Sequence, residues 1–159
     1  MRTAFTLRSR ARRLFRFLRK EGGQSMVELA LLLPVLVFGL IGGADMARAY
    51  ALQLAVQNGA RAGAEAYAID YSKNAGQAVA RARQEMGQTP GMTSGAPAVS
   101  IRAGFQADGV TACTVSPPTV DDPCFVTVQI TYTFHTLIPW PLIPNTANFD
   151  RSTTMRLFY

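Results

Sequence analysis

The sequence predicts an α+β protein in which a long N-terminal membrane-spanning helix is followed by a small antiparallel sheet of three or four strands. The run Met26–Ala44 is apolar over 19 residues, and good helix formers continue from there to Ile69. Beyond residue 98 the pattern changes to alternating apolar and polar residues, which is typical of strands. Because helical and strand patterns occupy separate blocks of the chain, they indicate an α+β fold.

The positive charge is concentrated in an N-terminal arm. Residues 1–23 hold eight of the 16 basic residues and one of the ten acidic residues, so the arm carries +7 and the rest of the chain −1. This uneven distribution does not indicate a nucleic-acid partner. Basic residues beside an apolar span stay on the cytoplasmic side of a membrane. We therefore expect the arm to be cytoplasmic, in contact with membrane lipid, and the following segment to cross the bilayer.

Glu28 lies near the start of this apolar segment. A charged side chain costs roughly 2.5–3.5 kcal/mol at the centre of a bilayer helix, and less near its end. Three hypotheses are open: a secretory signal cut near Ala47-Arg48-Ala49, an uncleaved anchor, or a leader cut between Gly23 and Gln24. A signal peptide has a shorter apolar stretch, and a plain anchor leaves Glu28 unexplained. The sequence therefore favours a leader that is cut while the apolar segment is kept.

An ordered set of motifs extends from Gly23 to Ala64. It comprises Gly23-Gln24-Ser25-Met26-Val27-Glu28-Leu29-Ala30, a leucine run with Pro34, Asp45-Met46-Ala47-Arg48-Ala49 and Gln57-Asn58-Gly59-Ala60-Arg61-Ala62-Gly63-Ala64. This set resembles the TadE-like minor pilins of tight-adherence (Tad, or Flp) pilus systems, which are type IV pilin-like pseudopilins. One departure is Leu29, where many members carry an aromatic residue.

The resemblance implies a pilin-like fold and a role in pilus assembly. A prepilin peptidase would cut between Gly23 and Gln24, and Glu28 would then meet the new amine of Gln24. The mature protein would lie in the inner membrane with a periplasmic C-terminal domain, and would join other minor pilins and the major pilin, whether at the membrane or in the extracellular pilus. The rival hypothesis is an uncleaved single-pass periplasmic binding or sensing module.

Three regions are expected along the chain. Residues 1–23 form the cleaved cytoplasmic leader, residues 24–70 the transmembrane helix with its periplasmic extension, and residues 71–159 a second helix (about 75–86) and a β domain. We predict strands over 99–105, 125–134 and 151–159. The apolar set of the central strand should face the helix; it comprises Val126, Val128, Ile130, Tyr132 and Phe134.

Small residues recur at every fourth position of the long helix. They are Gly39, Gly43, Ala47, Ala51, Ala55, Gly59 and Gly63. Such spacing lets two helix backbones approach closely, so it predicts a ridge that packs on neighbouring subunits. The ridge could equally face the chain's own sheet, or reflect only the abundance of Gly and Ala.

Asp45 and Arg48 are one turn apart and are expected at the membrane boundary, as an ion pair or as separate headgroup contacts.

The two cysteines, Cys113 and Cys124, bracket a ten-residue loop before the central strand. If the domain is extracytoplasmic, its compartment is oxidising and a disulfide is expected.

The apolar segment 137–144, which includes Pro139, Trp140 and Pro141, is too rich in proline for a central strand. It could form a loop that binds a partner or a lid over the sheet.

No enzyme is predicted from the sequence. It has no phosphate-binding glycine loop and no nucleophile–base set, and its single histidine, His135, argues against a metal site. We expect no catalytic residue, cofactor or metal.

Overall fold

The computed structural model describes residues 23–69, 74–92, 97–114, 118–139 and 144–158. These residues form two helices and three strands: α1 (Gln24–Ile69), α2 (Ala75–Gly87), β1 (Ala98–Phe105), β2 (Phe125–His135) and β3 (Thr146–Arg156). The sheet order is β1-β2-β3, and both pairings are antiparallel. The predicted pilin-like α+β fold, a long apolar helix followed by a small antiparallel sheet, is confirmed.

The chain divides into two units, Met1–Ala44 and Asp45–Tyr159, and α1 passes through the boundary between them. In the first unit, the apolar side chains from Met26 to Leu40 are exposed. The helix continues through Pro34, although proline removes one backbone hydrogen bond. An exposed helix surface of this composition is suited to lipid or to other helices rather than to water.

The second unit has one hydrophobic core. Its members come from α1 (Val56, Ala60, Ala64, Ala68), α2 (Ala82, Met86), the inner face of β2 (Val126, Val128, Ile130) and the flanking residues Cys124 and Leu157. The predicted inward face of β2 is confirmed, with Phe134 buried as well and Tyr132 half-buried. Alanines on both helices allow their backbones to lie close together, and larger side chains from Met86 and the inner face of β2 fill the rest of the core.

Asn74 fixes the start of α2. Its side-chain oxygen accepts hydrogen bonds from the backbone N–H groups of Gly76 (2.8 Å) and Gln77 (3.4 Å), as an N-cap residue does. Ala78, Ala82 and Met86 then recur at every fourth position and form the buried face of the helix.

The prediction for β3 was wrong at both ends. The strand covers Thr146–Arg156 rather than 151–159, because Thr146 already pairs with His135 at the end of β2. The first half of β3 lacks a clear apolar alternation, and polar side chains bond across the outer face of the sheet instead. Gln129 Nε2 donates to the Asp150 carboxylate (2.8 and 2.9 Å), and Thr133 Oγ1 donates to Asn148 Oδ1 (2.8 Å).

Candidate functional site

The junction predicted as a cleavage site lies at the start of α1. The helix begins at Gln24, directly after Gly23, and a Cβ built on Gly23 would meet nothing within 4 Å. The Gln24 side chain donates from Nε2 to Glu28 Oε1 at 3.1 Å, and both residues are exposed. The structure therefore brings Gln24 and Glu28 together on one face of α1. The predicted leader lies outside the described residues, except for Gly23.

This geometry has a chemical consequence for a cut chain. In the intact chain the Gln24 nitrogen belongs to a peptide bond and carries no charge. A cut after Gly23 would convert it to an α-amine, which titrates at about 7.7–8.0 in water and is therefore largely protonated at neutral pH. Glu28 would supply a carboxylate one turn along the same helix.

The ridge of small residues divides into two parts. Gly39, Gly43, Ala47 and Ala51 are exposed, whereas Ala55, Gly59 and Gly63 are buried. A Cβ on Gly59 would lie 2.5 Å from Met86 Cγ and 3.2 Å from the Ala82 carbonyl oxygen. At Gly63 it would lie 3.1 Å from Ala82 Cβ and 3.3 Å from Val128 Cγ1. The buried part therefore packs within the chain, mainly against α2.

Helix geometry explains this division. Four residues of an α-helix cover slightly more than one turn, so each step along the ridge rotates it by about 40° around the axis. Six steps separate Gly39 from Gly63, and the two ends of the ridge therefore face different directions. A Cβ on Gly39 or Gly43 would meet nothing within 4 Å. Only the first four residues of the ridge are open to another molecule.

Asp45 and Arg48 do form a pair, but the pair has a further partner. Asp45 is 5% exposed and its Oδ1 lies 3.3 Å from Arg48 Nη1. The backbone N–H of Leu137, at the end of the β2–β3 hairpin, donates to the two Asp45 carboxylate oxygens (3.0 and 3.3 Å). The Arg48 guanidinium lies 5.7 Å from the centre of the Phe134 ring. We call Asp45, Arg48, Phe134 and Leu137 the Asp45 cluster.

Sequence reasoning missed the role of Leu137 in this cluster. A backbone donor 92 residues away leaves no trace in sequence spacing. The one feature of the sequence that could have indicated such a donor is Asp45 itself, because it is an acidic residue on a helix that must pack against a sheet. Such a buried carboxylate needs donors, and backbone N–H groups at a strand end are a common source.

The segment predicted as a partner loop is described in part. Leu137, Ile138 and Pro139 are exposed, whereas Trp140 and Pro141 lie outside the described residues. The loop is closed at its base, where the Thr136 N–H donates to the Asn145 carbonyl oxygen (3.0 Å). The exposure of its first three residues does not fit a lid over the sheet.

Cys113 and Cys124 lie at disulfide distance, with their Sγ atoms 2.05 Å apart and their Cα atoms 5.9 Å apart. Cys124 is buried in the core, and its carbonyl oxygen accepts from the Leu157 N–H (2.8 Å). The Cys113 N–H donates to the Gly104 carbonyl oxygen (2.9 Å). The disulfide therefore ties the loop before β2 to the ends of both outer strands.

Two aspartates order the same loop. Asp122 accepts from Gln106 Nε2 (3.1 Å) and from Thr114 Oγ1 (2.6 Å). Asp108 accepts from the Thr111 hydroxyl and from the backbone N–H groups of Val110 and Thr111, and these hydrogen bonds lower the pKa of Asp108 below its usual value. Among the described residues, no group of three or more His, Cys, Asp or Glu side chains is placed to hold a metal ion.

Residues 23–65 match the family model described as TadE-like protein. This segment is TadE-like. The match covers 43 of the 159 residues, including Gly23, Glu28 and the Asp45–Arg48 pair, and it ends before α2 and the sheet. No curated protein and no solved structure matches the chain.

For residues 23–65 the match confirms the resemblance seen in the sequence. Within the described residues, α1 is the one helix long and apolar enough to cross a membrane. The TadE-like segment thus lies almost entirely on this helix, and it contains the open part of the small-residue ridge.

Proposed function

We propose that this protein is a non-enzymatic minor pilin, or pseudopilin, that helps to assemble a Tad-type adhesive pilus. The observation that carries the proposal is that two boundaries and one side-chain contact fall together. The TadE-like match begins at Gly23, α1 begins at Gln24, and Glu28 lies on the same helix face as Gln24. A cut at this point would release a mature chain that begins with its membrane helix.

In this proposal the protein crosses the inner membrane once. The basic arm lies in the cytoplasm, residues 24–44 cross the bilayer, and the domain from Asp45 onward lies in the periplasm. The positive charge before the apolar segment supports this orientation. The Cys113–Cys124 disulfide supports an oxidising compartment for the domain.

A prepilin peptidase cuts between Gly23 and Gln24 on the cytoplasmic side. Gly23 is suited to the site because it offers no side chain to a protease and is exposed. The cut creates the charge that Glu28 then pairs with, either in the same chain or in a neighbouring one. Two opposite charges between helices offset each other's desolvation, and removing one partner of such a pair costs about 3–5 kcal/mol.

The open part of the ridge supplies a surface for other pilins. Gly39 and Gly43 have free space where a side chain would be, so the backbone of a second helix can approach there. Contacts with the major pilin and with other minor pilins are therefore assigned to this part of α1. The buried part, at Gly59 and Gly63, serves the fold of the domain itself.

Intact-mass measurement of the membrane-extracted protein tests the proposal. A minor pilin should lack residues 1–23 and begin at Gln24, whereas an uncleaved binding or sensing module should retain them. Gly23→Leu should leave the precursor uncut, and Gly22→Ala, next to it, should still be trimmed. A mature chain that retains the arm, or one that begins at Tyr50, would contradict the proposed processing.

A further inference from the structure

β3 (Thr146–Arg156) forms one edge of the sheet, and among the described elements only β2 borders it. Its pairing with β2 is regular along the whole strand, without the register shift that interrupts the pairing of β1 with β2. Natural sheets protect such edges with proline, lysine or a bulge, because unpaired backbone groups can bind another strand. β3 has no proline, lysine or bulge, and its charged residues are Asp150, Arg151 and Arg156.

Two hydrogen bonds show which backbone groups of β3 point away from β2. At one end, the Leu157 N–H donates to the Cys124 carbonyl oxygen (2.8 Å). At the other end, the Thr136 N–H donates to the Asn145 carbonyl oxygen (3.0 Å). Bonded and non-bonded positions alternate along antiparallel strands, so the odd-numbered residues of β3 bond to β2. The backbone N–H and C=O groups of the even-numbered residues therefore point to the open edge; these residues are Thr146, Asn148, Asp150, Ser152, Thr154 and Arg156.

The charges of β3 favour a second copy of the chain as the strand that binds this edge. In an antiparallel pair of two β3 strands centred on Thr153, Asp150 of each copy faces Arg156 of the other. Directly facing opposite charges stabilise a strand pair, whereas like charges destabilise it. A pair centred on Asp150 or on Arg151 would place like charges opposite each other, and one centred on Ser152 would give Asp150 no directly facing counter-charge.

The two charged side chains are already held in place within one copy. Gln129 Nε2 donates to both Asp150 carboxylate oxygens (2.9 and 2.8 Å), which fixes this carboxylate on the outer face of the sheet. Arg156 Nη2 donates to the Thr119 carbonyl oxygen (2.8 Å). A guanidinium has five N–H donors and a carboxylate can accept several hydrogen bonds, so both groups retain capacity for a further partner.

We propose that two copies of this protein pair through β3, which joins their three-stranded sheets into one antiparallel sheet. Arg151 Nη1 now donates to the Asp150 carbonyl oxygen at the open edge (2.9 Å). In the pair, the Arg156 N–H of the second copy replaces that donor, and Thr153 faces its own counterpart at the centre. The inference goes beyond the proposed function and requires neither a membrane span nor a cut after Gly23, because its residues all lie in the unit Asp45–Tyr159.

A thiol at the centre of the pair tests this register. Facing residues at a non-hydrogen-bonded position have Cα atoms about 4.5 Å apart, which is within the range of a disulfide. The full chain carrying Thr153→Cys is oxidised in cell envelopes and analysed on a non-reducing gel. Cys113 and Cys124 are already bonded to each other, so the introduced thiol is the reactive one. We expect a disulfide-linked species of twice the mass of the chain.

Ala147→Cys is the matched control. Ala147 lies on the same face of β3 as Thr153, since the two residues pair with Phe134 and Val128 of the inner face of β2. It is exposed, so an introduced thiol is accessible. In the proposed pair the two copies of position 147 are about 40 Å apart, because they lie six residues on either side of the centre. This variant should give no linked species.

A charge exchange tests the choice of partner. Adding Asp150→Arg to the Thr153→Cys chain places two arginines opposite each other, so the linked species should be lost. Adding Arg156→Asp as well restores opposite charges and should restore the linked species. The rescue also shows that the loss in the single charge variant comes from repulsion between copies rather than from a failure to fold.

Four results would overturn the inference. They are no linked species from Thr153→Cys, an equal yield from Ala147→Cys, a yield that Asp150→Arg leaves unchanged, and a link from Ser152→Cys without one from Thr153→Cys. A Thr153→Cys thiol linked to a different protein would also overturn it, because the edge would then bind another partner. The proposed membrane span and cut would survive each of these results.

Discussion

Asp45 places a carboxylate among packed side chains, and its neighbours explain why that position is tolerated. Arg48 supplies a charge one turn further along α1, and the Leu137 N–H supplies a donor from the β2–β3 hairpin. A buried charge is destabilising unless it is paired and hydrogen-bonded. The cluster therefore joins α1 at Asp45 to the C-terminal end of β2.

Asp45→Ala should destabilise the domain by about 1–3 kcal/mol, because the Leu137 N–H and Arg48 both lose their hydrogen bonds to a charged acceptor. Asp45→Asn keeps an acceptor oxygen and should cost less. Urea denaturation of the purified protein, followed by circular dichroism, measures the difference. An Asp45→Ala variant as stable as the parent would show that the cluster contributes nothing to the fold.

At the scale of elements, α1 changes its role along its length. Its first part presents exposed apolar side chains, and its last part is buried against α2 and the sheet. The small-residue ridge belongs to both parts, since a spacing of four winds slowly around the helix. Because of this division, we expect substitutions at Gly59 and at Gly43 to have opposite effects on the stability of the domain.

Gly59→Leu should destabilise the domain by about 1–3 kcal/mol, because Met86 and the backbone of Ala82 leave no room for a side chain. Gly43→Leu meets open space and removes a glycine from a helix, so it should leave the domain's stability unchanged or slightly higher. Denaturation midpoints of the two variants, compared with the parent, test this.

The same Gly43→Leu variant should reduce pilus number, and normal piliation would argue against the open ridge as a subunit contact.

The disulfide loop is the second element with a measurable contribution. Replacing Cys113 and Cys124 by alanine should lower the free energy of unfolding by roughly 3 kcal/mol, the value typical of a loop of this size. Non-reducing peptide mapping of protein from the cell envelope should find the Cys113–Cys124 cross-link. Two freely alkylated thiols in unreduced protein would contradict both the bond and the oxidising compartment.

The sequence predicted those parts of the fold that periodicity controls. The extent of α1 follows from a continuous apolar run and the good helix formers after it, and the inward face of β2 follows from apolar alternation. The start of β3 was missed because its first residues are polar and are selected by pairing with β2. The bond from Leu137 to Asp45, and the contacts that close over Gly59, depend on tertiary packing that spacing does not encode.

At the scale of the whole molecule, a TadE-like helix that is long and apolar enough to cross a membrane precedes a small disulfide-bonded domain. The helix supplies the processing junction and the open ridge, and both are used in assembly in the proposed function. In the proposed function the domain from Asp45 onward is the periplasmic part, and its core joins alanines of both helices to the apolar face of β2.

In the proposed function, the Glu28 carboxylate pairs with the new N-terminal amine of Gln24. Glu28→Leu should leave membrane insertion intact, because it makes the segment more apolar. It should also leave trimming largely intact, because the carboxylate acts after the cut. Assembly should fail, since the new amine of Gln24 would remain unpaired between helices. Glu28→Gln should have a milder effect, because it keeps a hydrogen bond without the charge.

Counting surface pili on cells that carry Glu28→Leu, at parental protein levels, tests the central claim most directly. The double variant Glu28→Leu, Leu29→Glu is the matched control: it keeps one carboxylate but moves it about 100° around the helix. We expect both strains to trim the protein at Gly23 and to lack pili, while the parent gene restores them. Normal numbers of pili with Glu28→Leu would contradict the proposed pairing of Glu28 with the N-terminal amine.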